Sequence, residues 1–148
     1  SEELKHIESY MVIQGMRYND CFTYSINCEE SVAEVKIMKL ILQPLVENAI
    51  YHGIDKDDED NYIKIDVGLK DDFVELAVTN SGYGISDSKI EEIYRVMREG
   101  NEKGSVGMKN VYRRIKLFYG EEAKLHIESE LDESTTISIC IPKERLGL

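Results

Sequence analysis

The sequence predicts an α+β fold, a two-layer sandwich in which helices cover one face of a mixed, mostly antiparallel sheet. Two pairs of alternating strands, near 62–80 and 124–141, are each joined by a short polar turn. Helical patterns precede and separate these pairs, without the regular strand-helix alternation of a doubly wound fold. The chain also lacks the Gly-x-x-x-x-Gly-Lys phosphate loop of that fold class.

The composition is that of a globular chain and limits its partners. With 148 residues, 42% of them hydrophobic and 32% charged, the chain has room for one domain with a single core. The sequence contains no run of 18 apolar residues and therefore predicts no membrane-spanning helix. The net charge of -11 argues against nucleic acid as a partner, because its phosphates would be repelled.

The start of the chain and its cysteines predict the context of the protein. Ser1 opens directly into a helical pattern, so we expect a piece of a longer protein. The three cysteines lack metal-ligand spacing, and we expect reduced thiols without a disulfide: Cys21, Cys28 and Cys140.

The first elements are a helix and a strand. Residues 2–17 place Leu4, Ile7 and Met11 on one narrow face, which we expect to pack on a helix outside this chain. His6 lies on the same helix, and it is assigned no role because a lone helical histidine is usually structural or solvated. Residues 21–28 alternate between apolar and polar side chains and predict a half-buried strand.

A central helix follows, and we place its start near Lys36. Pro44 removes one backbone hydrogen bond and should either bend this helix or start its regular part nearby. At 100° per residue, one side of the helix carries a core-facing stripe of Met38, Leu42, Leu45, Val46 and Ala49. Asn48 and His52 lie at the edge of that stripe. They fit two interpretations, a metal-phosphate site or two satisfied polar residues near a helix end.

The downstream glycines favour the first interpretation. Strands near 62–69 and 73–80 form a predicted hairpin, and the second leads into a turn with Gly82 and Gly84. Glycines one residue apart allow positive φ and close approach of the backbone to a flat ligand. One such pair after a strand is a weak signal by itself.

Two further helices flank a glycine-rich stretch. Residues 87–97 predict a helix with Ser86 as its N-cap, and residues 98–107 predict a loop that is mobile without a ligand. The next helix runs from Met108 to Tyr119, and its N-terminus suits an anionic phosphate. Its predicted apolar face is Val111, Ile115 and Phe118, and its predicted solvated basic face is Lys109, Arg113, Arg114 and Lys116.

Four segments together resemble the catalytic ATP-binding domain of sensor histidine kinases, in the LytS/YesM-like branch of the superfamily shared by gyrase, Hsp90 and MutL. The segments are Gln43-Pro44-Leu45-Val46-Glu47-Asn48-Ala49-Ile50-Tyr51-His52-Gly53, Gly82-Tyr83-Gly84, Gly107-Met108-Lys109-Asn110-Val111, and the strand from Thr135-Thr136 to Pro142. The resemblance covers nearly the whole chain and implies a Bergerat-type ATP-binding fold.

The resemblance implies a pocket for ATP between the central helix, the glycine turn and a lid. Asn48 would hold a Mg²⁺ ion that bridges the ATP phosphates, with Glu47 and His52 lining the same end. Glu47 and Asn48 are the implied catalytic residues. The remaining implied nucleotide-binding positions are Asn80, Gly82, Gly84, Ile85, Gly104, Gly107, Met108, Asn110 and Thr136.

The implied reaction is transfer of the γ-phosphoryl group of ATP to a histidine on an upstream dimerisation domain. Residues 1–17 resemble the end of a helix of that domain, and residues 18–148 resemble the ATP-binding domain itself. The implied partners are this dimerisation domain and a response regulator. The implied parent protein is a homodimeric sensor of the bacterial inner membrane, with this domain in the cytoplasm.

Departures from the family pattern leave other functions open. Asn80 replaces a usual aspartate, Tyr51 a frequent lysine and Ser105 a frequent glycine. A nucleotide-binding sensor or scaffold with weak or absent kinase activity is therefore the alternative. A clamp ATPase is less favoured, because Pro44 stands where hydrolytic relatives carry the glutamate that activates water.

Overall fold

The strands form one five-stranded sheet. The computed structural model describes residues 2–17, 22–32, 35, 41–50, 61–99 and 106–147. Its strands are β1 Phe22–Cys28, β2 Asn61–Lys70, β3 Phe73–Ser81, β4 Lys124–Glu130 and β5 Ser134–Pro142. Their order is β1-β2-β3-β5-β4, with β1 parallel to β2 and the other pairs antiparallel. This mixed, mostly antiparallel sheet confirms the predicted α+β class and both predicted hairpins.

Four α-helices accompany the sheet in the described residues. They are α1 Glu2–Arg17, α2 Gln43–Asn48, α3 Asp87–Glu99 and α4 Val106–Tyr119, with short 3₁₀ helices at Glu30–Val32 and Lys143–Leu146. None of the described helices is long and apolar enough to cross a membrane. The Ser86 hydroxyl accepts the backbone N–H of Lys89 at 3.3 Å and therefore caps α3 as predicted.

The core lies between the helices and one face of the sheet. Because side chains alternate along a strand, residues such as Ile65, Leu76 and Ile139 all point to this face and are fully buried. The opposite face is polar, with exposed groups such as Lys64 and Asp66. The helices supply the other half of the core, which includes Ile7, Met11, Leu45, Val46, Val111 and Ile115.

The start of α2 differs from the prediction. The helix begins at Gln43, and Ile41 and Leu42 form a bend before it. Pro44 occupies the first turn, where its missing N–H costs nothing because the first N–H groups of a helix have no partner within it. The predicted start near Lys36 and the side chain of Met38 lie outside the described residues. The other predicted stripe residues, Leu42, Leu45, Val46 and Ala49, are all buried.

The apolar face of α1 packs within this chain. Ile7 and Met11 have no exposed surface and belong to the same core as the sheet. The prediction that this face packs on a helix outside the chain is therefore wrong for these two residues. The opposite side of α1 leaves Val12 and Ile13 exposed to 48% and 61%.

The buried face of α4 is shifted from its predicted position. Val111, Ile115 and Tyr119 are buried, whereas Phe118 is 65% exposed. Each step of four residues advances the face by about 40° around the helix, so by the last turn its centre has moved to Tyr119. The prediction that Phe118 lies on the buried face is therefore wrong. α4 also starts two residues before the predicted Met108.

This difference on α4 gives a stability test. Ile115→Ala should lower the free energy of unfolding by about 2 to 5 kcal/mol, because it leaves a cavity in the core. Phe118→Ala should change it by less than about 0.5 kcal/mol, because the ring is mostly solvated. Urea unfolding followed by circular dichroism measures both. Equal losses for the two variants would contradict the assigned helix face.

Candidate functional site

The glycine turn after β3 is attached to the turn between β4 and β5. The Gly82 N–H donates to the Glu133 carbonyl at 3.1 Å, and the Asp132 N–H donates to the Tyr83 carbonyl at 2.8 Å. These two bonds extend the strand pairing past the end of β3. The turn is thus fixed by a segment about 50 residues away in sequence.

Gly82 and Gly84 have backbone conformations that suit glycine. Their φ angles are 144° and 75°, values that L side chains rarely adopt. A Cβ atom on Gly84 would lie 2.6 Å from the Glu130 carbonyl oxygen and 2.8 Å from the Leu131 Cα. Contact with the neighbouring backbone therefore requires glycine at position 84, whether or not a ligand is bound.

Asn80, beside this turn, is a buried amide with one unpaired acceptor. Its side chain is 2% exposed, and Nδ2 donates to the Ser81 carbonyl at 2.9 Å. Within the described part of the chain, Oδ1 has no hydrogen-bond partner. An unsatisfied buried acceptor costs about 1 to 3 kcal/mol. Such a buried acceptor can be satisfied by an ordered water, an ion or the donor group of a ligand.

The strand register corrects the predicted threonine. Asn80 lies opposite Thr135, and both point to the core face. Thr136 lies opposite Thr79 on the other face, where their hydroxyl oxygens are 2.9 Å apart. Because neighbouring residues of a strand point to opposite faces, Thr136 cannot share the surroundings of Asn80. Thr135, which is 3% exposed, takes its place.

A hydroxyl pair connects Thr135 with the end of the glycine turn. The Ser129 and Thr135 hydroxyl oxygens are 2.8 Å apart, and Ser129 Oγ accepts the Ile85 N–H at 2.7 Å. Ile85 itself packs against the core. The structure thus brings together Asn80, Gly82, Gly84 and Ile85 of the predicted set, and it adds Thr135 and Ser129. The sequence could have indicated these two residues only through the alternation of side chains along their strands. The strand register decides which of the alternating residues lie beside each other.

Asn48 is the last residue of α2 and is half-buried. In the described residues its side-chain amide makes no hydrogen bond to protein. The oxygen of such an amide can enter the oxygen shell that Mg²⁺ prefers. No cluster of three or more His, Cys, Asp or Glu side chains suited to a metal occurs in the same part of the chain. A metal ion here would need most of its ligands from elsewhere, as when phosphate and water supply them.

Glu47 and Asn110 line one cavity of about 430 Å³ between α2 and α4. Arg113 and Arg114 line it as well, so these two arginines, predicted to be part of a solvated face, lie beside two predicted site residues. Gln43 Nε2 donates to the Glu47 carboxylate at 2.8 Å. The cavity therefore combines one acidic and two basic side chains, an arrangement suited to a charged ligand or partner group.

The structure describes only some of the remaining predicted residues. Gly107 and Met108 lie in the first turn of α4, a helix of 14 residues whose N–H groups at this end have no partner within the helix. His52 and Gly104 lie outside the described residues, as do Tyr51 and Ser105. The predicted common cleft of Asn48, Gly82, Gly84 and Gly107 stays a prediction.

Comparison with protein families gives one match over most of the chain. Residues 33–145 match the family described as histidine kinase-, DNA gyrase B-, and HSP90-like ATPases. The matched range contains every predicted site residue. It also contains Gln43, Arg113 and Thr135, which the structure added.

Two curated relatives are sensor proteins of bacteria. The sensor protein LytS of Bacillus cereus is 28% identical over 97% of this chain and 24% of its own length. The sensor protein kinase HptS of Staphylococcus aureus is 31% identical over 98% of this chain and 28% of its own length. The chain thus spans about a quarter of the curated relatives it matches.

Solved structures share the fold. The catalytic domain of the histidine kinase ThkA superimposes with a TM-score of 0.71 at 20% identity, covering 96% of this chain and 92% of that domain. A histidine kinase domain from Erythrobacter litoralis gives a TM-score of 0.59 at 14% identity, with 93% and 65% covered. At these identities the likeness concerns the fold alone.

Gly84→Ala tests the attachment of the glycine turn, with Gly147→Ala as its matched control. Both glycines have φ near 75°, so both variants should lose roughly 1 kcal/mol of stability from backbone strain. A Cβ on Gly147 meets nothing within 4 Å, whereas one on Gly84 meets backbone. Gly84→Ala should therefore lower the Tm further, as measured by calorimetry. Equal shifts would show that residues 130 and 131 do not press on the turn.

Proposed function

Because the chain belongs to the histidine kinase-, DNA gyrase B-, and HSP90-like ATPase family, we propose that it is the ATP-binding catalytic domain of a two-component sensor histidine kinase. The domain transfers the γ-phosphoryl group of ATP to a histidine on an upstream dimerisation domain. The observation that carries the proposal is the buried, unpaired Oδ1 of Asn80 beside the glycine turn. The name of one relative, the sensor protein kinase HptS, supports the kinase class.

Asn80 selects the base of the nucleotide in this proposal. Its Nδ2 is engaged by the Ser81 carbonyl, which orients Oδ1 as an acceptor. The exocyclic amino group of adenine donates to such an acceptor, whereas guanine presents a carbonyl oxygen at the equivalent position. Thr135 and Ser129 extend the polar surface next to Asn80. An amide lacks the charge of the aspartate usual in this family, so the bond to adenine is weaker than a charge-assisted one.

Asn48 would hold the Mg²⁺ ion that accompanies ATP, and the N-terminus of α4 would bind the phosphates. Bound Mg²⁺ neutralises charge on the phosphate oxygens. Gly107 and Met108 lie in the first turn of α4, whose free backbone N–H groups suit phosphate, and Gly104 is a further proposed phosphate-binding position. His52 would act at the same end as Glu47, and Asn110 lines the Glu47 cavity from α4. The contribution of the protein is positioning and charge neutralisation, which phosphoryl transfer chiefly requires.

Glu47 receives the proton that the acceptor histidine loses. In the transfer the bond between the γ-phosphorus and the bridging oxygen breaks, a bond from that phosphorus to an imidazole nitrogen forms, and ADP leaves. The ionised carboxylate of Glu47 is a suitable base, and Gln43 fixes its orientation. Pro44, four residues before Asn48, cannot activate water. This favours transfer to a partner over hydrolysis.

The whole protein works as a homodimer anchored in the bacterial inner membrane, with this domain in the cytoplasm. Its partners are its own dimerisation domain, which supplies the phosphoacceptor histidine, and a response regulator. Residues 1–17 are the end of a dimerisation-domain helix, and residues 18–148 are the catalytic domain. The names of the two relatives, a sensor protein and a sensor protein kinase, support a signalling role for the whole protein.

A nucleotide-binding sensor or scaffold is the second candidate function. The observation that favours it is the neutral Asn80 in place of a carboxylate, which weakens the hydrogen bond to adenine. Phosphorylation of the upstream histidine by the full-length kinase, measured with radiolabelled ATP, separates the two candidates. Efficient phosphorylation excludes the scaffold, and ATP binding without phosphorylation supports it.

Asn80→Leu tests base recognition. The variant should weaken ATP binding roughly tenfold, the loss expected for one hydrogen bond of about 1.4 kcal/mol. The preference for ATP over GTP should fall as well, because the acceptor that distinguishes adenine from guanine is removed. Thr136→Val on the opposite face is the control and should bind ATP normally. Calorimetric titration with ATP and GTP measures these effects, and unchanged selectivity in Asn80→Leu would contradict the assignment.

Asn48→Ala tests the metal site. ATP affinity measured with Mg²⁺ should fall about tenfold or more, and affinity measured with excess chelator should stay the same, because only the metal contact is lost. Asn27→Ala, which removes an exposed amide on β1, is the control and should leave both values unchanged. Equal losses with and without Mg²⁺ would rule out a metal role for Asn48.

A further inference from the structure

Two polar side chains of helix α1 contact the start of α2, and a side chain in the first turn of α2 is hydrogen-bonded to the Glu47 carboxylate. We infer that Glu3, His6 and Gln43 are positioning residues that make the orientation of Glu47 depend on the placement of α1. The inference rests on the proposed kinase function for its consequence. The contacts themselves are independent of that function.

Glu3 holds the backbone at the start of α2. Its carboxylate is buried and accepts the Leu42 N–H at 3.1 Å. Leu42 is the N-cap residue of α2, and no side chain of its own segment caps this helix. A charged acceptor on a buried N–H forms one of the stronger hydrogen bonds in a protein. Glu3 therefore ties the beginning of α2 to α1.

His6 adds a side-chain contact one helical turn further along α1. Its Nε2 lies 2.6 Å from Oε1 of Gln43. The carbonyl oxygen of Gln43 can only accept, so Nε2 of His6 must carry the proton. Residues three apart share one face of a helix, so Glu3 and His6 contact the same short segment of α2 together.

Gln43 connects these contacts to Glu47 through its side-chain amide. Its Nε2 donates to Glu47 Oε1 at 2.8 Å, while its Oε1 accepts from His6. Flipping the amide would bring two acceptors together at Glu47, so both ends of the Gln43 side chain are fixed. The series His6–Gln43–Glu47 thus connects α1 to a side chain next to Asn48.

Helix α1 is itself fixed to the core. Ile7 and Met11 are fully buried in the cluster that contains Leu45 and Val46 of α2. A rotation or shift of α1 large enough to move these side chains would disturb a close-packed core. Such a shift would also pull on Leu42 and Gln43. Movement of α1 is therefore transmitted to α2 through both packing and hydrogen bonds.

The first experiment tests the hydrogen-bond series without using activity. Nitrogen-15 NMR of the histidine rings reports which ring nitrogen of neutral His6 carries the proton. The wild-type chain should show the Nε2–H form in excess, and Gln43→Met should lose this preference. Lys5→Ala, an exposed neighbour on α1, is the control and should keep it. Predominance of the Nδ1–H form in the wild-type chain would overturn the inference.

The second experiment tests the consequence in the kinase that contains its phosphoacceptor domain. His6→Ala and Gln43→Met should each lower the rate of histidine phosphorylation by about 3- to 10-fold, since a misplaced base loses much of its effect. Affinity for ATP with Mg²⁺ should change by less than about twofold, because neither residue contacts the nucleotide. Lys5→Ala should change neither quantity.

A double variant separates positioning from simple destabilisation. If both residues act through one series, His6→Ala combined with Gln43→Met should be no slower than Gln43→Met alone. If the rate losses of the two single variants multiply in the double variant, the positioning role is overturned. Unchanged rates in both single variants would overturn it as well. His6 is exposed, so His6→Ala should fold even if Gln43→Met does not. Failure of the wild-type kinase to bind ATP would instead refute the proposed function, while the ring-nitrogen NMR would still decide the contacts.

Discussion

The register between β3 and β5 is the constraint on which the candidate site depends. It places Asn80 opposite Thr135 on the core face and Thr79 opposite Thr136 on the outer face. A shift of β5 by one residue would exchange its two faces, exposing its core side chains and moving Thr135 away from the face that carries Asn80. Burial of Ile137, Ile139 and Ile141 on the same strand prevents such a shift. The hydrophobic core thus fixes the polar site at its end.

The same register determines the glycine turn. Backbone bonds from Gly82 and Asp132 continue the contact between the two hairpins beyond the last strand pair. Gly84 lies so close to residues 130 and 131 that a side chain has no room. A Gly-x-Gly pair after a strand is therefore explained first by backbone approach within the protein. The fold therefore fixes this turn without any contribution from a ligand.

Much of the fold could be predicted because it depends on local patterns. Alternation over 62–80 and 124–141 predicted both hairpins, and the capping hydroxyl of Ser86 predicted the start of α3. The errors arose where a local pattern had more than one solution. Pro44 was compatible with a helix interior or a first turn, and the structure shows the first turn. Phe118 and Tyr119 were both near the apolar face of α4, and the packing favours Tyr119.

The sequence by itself determined the fold class, the family motifs, and Asn48 and the two glycines as candidates, because side-chain chemistry and short spacings are local properties. Asn80 became a candidate through the resemblance to the family. Only the tertiary structure decided that Thr135 and not Thr136 faces Asn80, that Arg113 and Arg114 share a cavity with Glu47, and that α1 reaches α2 through Glu3 and His6. These contacts join residues far apart in the chain. Strand register and helix packing bring them together, and both are set by burial of the whole core, which no short segment specifies.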